Sequence, residues 1–285
     1  MRIVVVSGKG GAGKTTFSVI LSLLLSNEVD IELIDSDVEE PNSNLFLGVN
    51  LESKSVYRKI PRLNSEICTG CGKCADICAY NAVVMVKQKP LIFTDLCHSC
   101  GGCVEVCPVD ALTEVDDKYG EIGSGNSENI EFKEGRIDVG KIQSPMLIKE
   151  LLADKSSDRV QIVDAPPGTA CNTVQALYGA DFALIVAEPT PFGTSDFKLI
   201  HELTKVMNID SAVVVNKDEG YSENFYKLCK SLDVPVLATV PFDEKLSRYY
   251  SIGDLKGYLK NEDISHYKGA VDGLKSLIMS EKENG

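Results

Sequence analysis

Blocks of apolar residues separated by polar stretches predict the order of secondary structure along the chain. Residues 2–7 are a β-branched apolar run that ends at a glycine-rich loop, and residues 31–34 are a second apolar run. Between them, the stretch from Lys14 to about Ser26 repeats apolar side chains at helical spacing, on a face formed by Phe17, Ile20, Leu21 and Leu24. The order strand, glycine loop, helix, strand predicts the opening βαβ unit of a P-loop fold.

Later parts of the chain repeat this arrangement, with helix-length segments between the apolar runs Val160–Val163, Phe182–Ala187, Ala212–Val215 and Val236–Val240. Strands that alternate with helices predict an α/β fold with a mostly parallel sheet covered on both faces. Further helical patterns cover Glu223–Leu232 and Ile264–Met279, and the second has an apolar stripe of Tyr267, Val271, Leu274 and Ile278. Its polar residues mix acids with lysines, whereas membrane-surface helices carry a basic excess, so we interpret it as a docking helix.

A cysteine-rich segment interrupts the alternation between about Pro61 and Val115. It contains an internal repeat of 29 residues, each half of which is predicted to form a short strand, a loop and a short helix. We therefore predict a small α+β domain at residues 61–115, inserted into an α/β domain made of residues 1–60 and 116–285. Residues 116–143 are polar and contain five glycines. We predict that they form the return path, with short strands near Ile130–Phe132 and Arg136–Val139.

Composition and charge narrow the choice of partners and of cysteine chemistry. The net charge of −13 argues against nucleic acid as a partner, because no basic tract could release enough counterions. No apolar run approaches the roughly 18 residues that span a bilayer, and the N-terminus does not resemble a secretory signal, so we expect a cytoplasmic protein without a membrane partner. Ten cysteines in such a protein indicate metal or redox chemistry rather than disulfides.

Eight of the cysteines form two runs with identical gaps of three, three and four residues: Cys68, Cys71, Cys74 and Cys78, then Cys97, Cys100, Cys103 and Cys107. This spacing resembles that of two-cluster bacterial ferredoxins, in which the fourth thiolate of each run ligates the other run's cluster. The resemblance implies two 4Fe–4S clusters, one held by Cys68, Cys71, Cys74 and Cys107 and the other by Cys97, Cys100, Cys103 and Cys78. Zinc is the alternative, but zinc sites usually use two short cysteine pairs separated by a longer loop. Ferredoxins prefer proline after the fourth cysteine of a run. Pro108 follows the second run in this way, but Ala79 follows the first.

Three further residues in or near these motifs have open interpretations. His98 lies inside the second cysteine run and is expected to face solvent, although it could tune a cluster with pH. Cys171 is either a redox or cluster-contact residue or, as we expect, a small buried apolar side chain. Cys229 lies in a helical pattern and is expected to be part of the core.

The glycine-rich loop matches the Walker A pattern for phosphate binding. Its glycines let backbone N–H groups approach the phosphates, and the following helix N-terminus favours negative charge. We expect Lys14 to neutralise phosphate oxygens of ATP or ADP and Thr15 to ligate Mg²⁺. The predicted phosphate-binding residues are Gly8, Lys9, Gly10, Gly11, Ala12, Gly13, Lys14, Thr15 and Thr16.

The second lysine of this loop, Lys9, makes the chain similar to the deviant Walker A ATPases of the MinD and Mrp kind, in particular those with an inserted ferredoxin domain. The resemblance implies a dimer that closes on ATP, with Lys9 reaching the partner's phosphates. It also implies that Asp37 positions the attacking water, that Asp35 and Asp164 support Mg²⁺, and that Gly168 contacts the γ-phosphate. The adenine pocket would contain Asn216, Lys217 and Pro241.

Three functions fit these motifs. The first is an ATPase in which nucleotide state controls electron transfer between a redox donor protein and an acceptor protein. The second is an assembly or carrier ATPase that delivers iron–sulfur clusters or metallocofactors to a receiving protein. The third, a positioning ATPase of the MinD kind, is disfavoured by the mixed charge of the C-terminal helix. We favour the first, because full cysteine ligation makes clusters less transferable.

Overall fold

The computed structural model describes residues 1–142, 144–155, 158–220 and 222–284, with side chains through residue 280. The strands are β1 Arg2–Val6, β2 Ile31–Asp35, β3 Glu52–Leu63, β4 Val83–Val86, β5 Lys89–Ile92, β6 Leu112–Ser127, β7 Ile130–Ile137, β8 Val160–Asp164, β9 Phe182–Ala187, β10 Asp210–Asp218 and β11 Val236–Pro241. The helices are α1 Lys14–Leu25, α2 Asn44–Leu47, α3 Lys73–Asp76, α4 Gly102–Glu105, α5 Ser144–Leu151, α6 Cys171–Leu177, α7 Pro191–Val206, α8 Glu223–Ser231, α9 Glu244–Ser251, α10 Leu255–Asn261 and α11 Lys268–Asn284. Short 3-10 turns lie at Thr94–Leu96 and Ser265–Tyr267.

One large sheet organises the described residues, in the strand order β11-β10-β9-β1-β8-β2-β7-β6-β3. Neighbouring strands from β11 to β7 are parallel. At one edge, β6 pairs antiparallel with β7, and β3 pairs antiparallel with β6. Strands β4 and β5 form a separate antiparallel hairpin. The predicted α/β fold with a mostly parallel sheet is therefore confirmed.

The core lies on both faces of this sheet. Ile3 and Val5 of β1 face one side, where they belong to a buried cluster with Phe17 of α1. Val4 and Val6 face the other side, in a cluster that includes Phe197 of α7. Because both faces are covered, the central strands are continuous apolar runs rather than alternating ones.

The C-terminal helix α11 covers the first of these faces. The predicted stripe of Tyr267, Val271, Leu274 and Ile278 is buried in the same cluster as Phe17. The interpretation of this segment as a docking helix is confirmed. In the described residues, no helix is both long enough and apolar enough to cross a membrane.

The prediction for residues 116–143 was wrong in one important respect. Residues 116–127 of the expected return path belong to β6, which pairs with β3 from Leu63↔Leu112 to Glu52↔Ser124. Its glycines mark close packing: a Cβ on Gly120 would lie 2.7 Å from the Arg136 carbonyl oxygen and 2.9 Å from a Leu147 methyl. The expected strands near 130–132 and 136–139 are parts of one strand, β7, which ends at Ile137.

The cysteine-rich segment lies at the end of the arm formed by β3 and β6. These strands run without a break through the expected boundaries at residues 60/61 and 115/116, and the division into two domains stays a prediction. The internal repeat is visible in the backbone, because α3 and α4 each follow a glycine in the left-handed conformation, Gly72 (φ 82°) and Gly101 (φ 73°). The segment has only a small apolar cluster of its own around Cys74, Val83 and Leu112.

Candidate nucleotide and cysteine sites

The phosphate loop connects β1 to α1 at the carboxyl edge of the parallel strands, where α/β folds bind ligands. Gly11 and Gly13 have φ values of 78° and 99°, which glycine adopts without strain. The loop borders a pocket of about 420 Å³, together with Lys14, Thr15 and Thr16 at the start of α1. The Lys14 side chain is buried. The predicted phosphate loop and helix N-terminus therefore border one pocket.

Two buried carboxylates lie side by side beneath this loop. Asp35 ends β2 and Asp164 ends β8, and the two residues are register partners on neighbouring parallel strands. Asp164 accepts a hydrogen bond from Ser18 Oγ at 3.2 Å. Burial, followed by the charge of Asp35, raises the pKa of Asp164 to about 7. Burial also raises the pKa of Asp35, although the backbone N–H groups of Ser43 and Asn42 oppose the shift.

Asp35, Asp164 and Thr15 fit the coordination chemistry of Mg²⁺. Carboxylate and hydroxyl oxygens are the ligands that this hard cation prefers. The raised pKa of Asp164 reflects the desolvation of two adjacent acids, and a cation between them would favour their ionised forms. Asp37 lines the pocket that the phosphate loop borders, and burial together with the charge of Asp35 raises the pKa of Asp37 to about 6.

The residues predicted to contact adenine come together in the same pocket, beside the phosphate loop. Asn216, Lys217 and Pro241 line it, and the Asn216 amide donates to the carbonyl of Ala12 at 2.8 Å. Helix α9 contributes a wall that the sequence analysis missed, formed by Leu246, Ser247 and Tyr250. No motif in residues 244–251 indicated this wall, which depends on how α9 packs after β11.

The signature lysine Lys9 is engaged within its own chain. Its ammonium lies 2.7 Å from Glu188, and Lys217 lies 2.7 Å from the same carboxylate. Lys217 also donates to the carbonyl of Gly11 at 2.7 Å. Burial raises the pKa of Glu188, but the two lysines outweigh it and the net shift is downward. Glu188 thus links Lys9 of the phosphate loop to Lys217 of β10, a role that the sequence analysis did not assign.

Gly168 lies close to the phosphate loop but makes a different contact from the one expected. Its backbone N–H donates to the Ser7 carbonyl at 3.0 Å. A γ-phosphate contact would require that hydrogen bond to break. Gly168 has φ 89°, a left-handed backbone conformation that glycine adopts without strain.

The eight repeated cysteines surround two cavities. One is lined by Cys68, Cys71, Cys74 and Cys107, and the other by Cys78, Cys97, Cys100 and Cys103. Each cavity thus combines three cysteines of one run with the fourth cysteine of the other, the sets expected from the ferredoxin spacing. Among the described residues, no three His, Cys, Asp or Glu side chains are placed to hold a single metal ion.

The repeat extends to the hydrogen bonds of the fourth cysteines. The N–H of Ala82 donates to Cys78 Sγ at 3.3 Å, and that of Ala111 donates to Cys107 Sγ at 3.2 Å. Such bonds, first among them one from the N–H of Val109, lower the pKa of the Cys107 thiol. Burial instead raises the pKa of Cys103 to about 11. The donor set fits iron–sulfur clusters, since each cavity offers four sulfur ligands and the buried thiols need positive charge nearby to ionise.

The remaining residues with open interpretations are also placed. The expectation for Cys171 was wrong: as the first residue of α6, it is exposed rather than buried. Cys229 is buried in the core, as expected, and burial raises its pKa to about 11. His98 is exposed, as expected, and its ring stacks on Tyr80 with a centroid separation of 3.7 Å beside the second cysteine cavity.

Comparison with known proteins identifies the family. Residues 3–255 match the family described as the CobQ/CobB/MinD/ParA nucleotide binding domain. The chain belongs to that family. It is accordingly a nucleotide-binding protein of the MinD/ParA ATPase type, as the deviant Walker A motif implied.

Several relatives of this CobQ/CobB/MinD/ParA family member cover most of its length. An uncharacterised protein of Methanocaldococcus jannaschii is 35% identical over 83% of this chain and 87% of its own. A cytosolic Fe-S cluster assembly factor NUBP1 homolog of Brugia malayi is 23% identical over 89% of this chain and 73% of its own. The structure of the septum site-determining protein MinD of Pyrococcus horikoshii, complexed with Mg-ADP, superposes with a TM-score of 0.60. At 20% identity, it covers 97% of this chain and 96% of that one, which shows a shared fold.

Proposed function

We propose that this protein is an ATP-hydrolysing iron–sulfur protein in which nucleotide state controls electron transfer through two 4Fe–4S clusters. The observation that carries the proposal is the pair of four-cysteine cavities, each combining three cysteines of one run with one of the other. This arrangement favours clusters over zinc, because the exchange of the fourth ligand is characteristic of two-cluster ferredoxins. The same chain has a phosphate loop and belongs to a nucleotide-binding family.

The nucleotide pocket supports ATP hydrolysis that depends on Mg²⁺. Thr15, Asp35 and Asp164 would hold the ion, and Lys14 would neutralise the phosphates. Asp37 lines the pocket and would orient a water molecule toward the γ-phosphate. Asn216 would contact the adenine edge with the hydrogen-bonding capacity left after its bond to Ala12. Bound MgADP in the related MinD structure supports this assignment of the ligand.

The cysteine cavities support one-electron chemistry, which bound clusters would supply. Cys71 and Cys100 are exposed, so each cavity has a ligand at the surface of the molecule. A redox donor protein and an acceptor protein could therefore approach both. The stacked Tyr80–His98 pair adds an aromatic surface beside the second cavity.

Dimerisation on ATP would bring Lys9 to the phosphates of the ATP bound by the partner subunit. In the described structure Lys9 is paired with Glu188, so ATP binding must exchange this ion pair for contacts with the partner's phosphates. We expect Lys9→Ala to bind ATP as a monomer, whereas the unaltered protein forms dimers with ATP and not with ADP. Size-exclusion chromatography with light scattering measures the difference, and Lys149→Ala, a change at an exposed helix position, is the control. Dimers of Lys9→Ala in ATP would contradict this role.

A redox titration monitored by electron paramagnetic resonance tests the proposed function. The anaerobically purified protein is titrated with and without MgATP. Coupling between two sites is typically worth about 1–3 kcal/mol, which corresponds to a potential shift of roughly 40–130 mV for a one-electron couple. We expect a shift in this range and ATP-dependent electron delivery to an acceptor. Protein without 4Fe–4S signals, or with electron delivery independent of ATP, would overturn the proposal.

An assembly ATPase is the second candidate, and the similarity to the NUBP1 homolog favours it. In this function the clusters or metallocofactors would be passed to a receiving protein. The test is incubation of the iron-loaded protein with an apo-ferredoxin, followed by measurement of iron in each protein after separation. ATP-dependent transfer of the cluster would favour assembly, and retention of all iron through repeated ATP turnover would favour electron transfer.

A further inference from the structure

A buried arginine joins the second cysteine loop to the edge of the large sheet. The side chain of Arg58, on β3, has no exposed surface. Its guanidinium donates to the Cys97 carbonyl at 3.1 Å and to the Thr94 carbonyl at 3.0 Å. Its third contact is Asp117, at 3.0 Å on the paired strand β6. Arg58 thus holds the segment that begins the second cysteine run, through donors arranged in a rigid fork.

The carboxylate that neutralises Arg58 is shared with a second cation. Lys141 donates to the two oxygens of Asp117 at 3.1 and 2.9 Å. Both side chains are only about a fifth exposed, so solvent screens the three charges less than it screens a surface pair. Any displacement of Lys141 therefore changes the electrostatic pull on Asp117 and, through it, on Arg58.

Along the chain, Lys141 lies between two residues that contact Val38 and Glu39, in the segment that follows β2 at the nucleotide pocket. Before it, the N–H of Ile137 donates to the Val38 carbonyl at 2.9 Å. After it, Ser144 at the start of α5 donates to Glu39 at 2.7 Å. Asn172 of α6 donates to the same Glu39 oxygen at 3.1 Å. Val38 and Glu39 directly follow Asp37, which lines the pocket.

We propose that the Arg58–Asp117–Lys141 chain transmits the nucleotide state of the pocket to the second cysteine loop, residues 94–100. This inference rests on the proposed function. ATP would move residues 37–39 relative to their position in the ADP state, as γ-phosphate contacts order such switch segments. The contacts at Ile137 and Ser144 carry that movement to Lys141, and Asp117 passes it to the arginine fork. Arg58 is a positioning residue in this scheme, because it holds the loop and does not touch the nucleotide.

The test is hydrogen exchange on the iron-loaded full chain in its nucleotide-free, MgADP and MgATP states. In the unaltered protein, MgATP is expected to change exchange in residues 94–100 about fivefold or more relative to MgADP, the lower end of typical coupling between sites. Residues 65–71, the equivalent loop of the first run, are the internal comparison and are expected to change less. Lys141→Met is expected to abolish most of the difference, whereas Lys149→Met, at an exposed position on α5, retains it.

A second variant separates transmission from simple anchoring. Arg58→Lys keeps the charge but loses the fork, so it is expected to raise exchange in residues 94–100 in every nucleotide state and to reduce the ATP-dependent difference. Retention of the full difference in Lys141→Met would overturn the inference, while the function would stand if electron delivery still depends on ATP. Absence of any nucleotide response in the unaltered loop would also overturn it. Electron delivery independent of ATP, measured separately, would instead overturn the proposed function.

Discussion

The most informative single residues are two acids that neighbouring strands place together. Asp35 and Asp164 are fully buried. Asp35 accepts hydrogen bonds from backbone N–H groups, and Asp164 accepts them from serine hydroxyls. Burial raises the pKa values of both carboxyls, and the charge of Asp35 raises that of Asp164 further. Such a pair is costly without a cation, so binding of Mg²⁺ between the two acids would couple the stability of the protein to Mg²⁺ and to pH.

We predict that the metal-free protein becomes less stable as pH rises from about 4 to 7. An unfolded Asp164 carboxyl ionises near its ordinary pKa of 3.8, whereas the folded carboxyl ionises near 7. Between these values the folded state binds more protons, so stability falls as pH rises. The pKa of Asp37, raised to about 6, acts in the same direction. Thermal melting in EDTA at a series of pH values measures the slope.

Matched variants assign this slope to the acid pair. Asp164→Asn is expected to reduce the decline, and excess Mg²⁺ is expected to restore stability at pH 7 and above. Asp116→Asn changes an exposed carboxyl and leaves the slope as it was. Identical slopes in the unaltered protein and Asp164→Asn would contradict the assignment.

At the scale of secondary structure, the pattern of apolar residues predicted the strands and helices that are buried in the core. The inner strands were recognisable because both of their faces are covered, and α11 because its apolar stripe meets the core. The β3–β6 arm was not recognised, since its polar side chains are largely solvated and its glycines resemble those of loops. The phosphate loop and the two cysteine runs are contiguous motifs, which sequence does reveal. The roles of Glu188, Arg58 and the α9 wall depend on tertiary contacts between distant segments. A single sequence does not reveal such contacts.

The helix α11 gives a direct test of how much its apolar stripe contributes. Leu274 is fully buried, and Met279 on the same helix is 60% exposed. We predict that Leu274→Ala lowers the free energy of unfolding by about 2–5 kcal/mol, because it leaves a cavity in a packed core. Met279→Ala should lower it by less than about 0.5 kcal/mol. Urea denaturation measures both, and equal effects would mean that α11 does not depend on this stripe.

At the scale of the whole molecule, the nucleotide pocket and the cysteine cavities use different parts of the chain. The pocket is built at the carboxyl edge of the parallel strands, and the cavities lie at the end of the β3–β6 arm. The described residues place no cysteine in the lining of the nucleotide pocket. Each site should therefore survive loss of the other, although the two are joined by covalent strands and by the Arg58 contacts.

This separation predicts opposite outcomes for two variants. Lys14→Ala removes a buried charge from the phosphate site, and we expect at least a 100-fold loss of ATP hydrolysis, the scale on which loss of one transition-state donor acts, with iron content unchanged. Cys103→Ser removes a proposed cluster ligand from the second cavity, and we expect lower iron content with ATP binding retained. Iron analysis, a phosphate-release assay and equilibrium binding of a fluorescent ATP analogue measure these quantities on the same preparations. If Lys14→Ala lost its iron, or if Cys103→Ser lost its affinity for ATP while remaining folded, the two sites would depend on each other for their formation rather than only for their regulation.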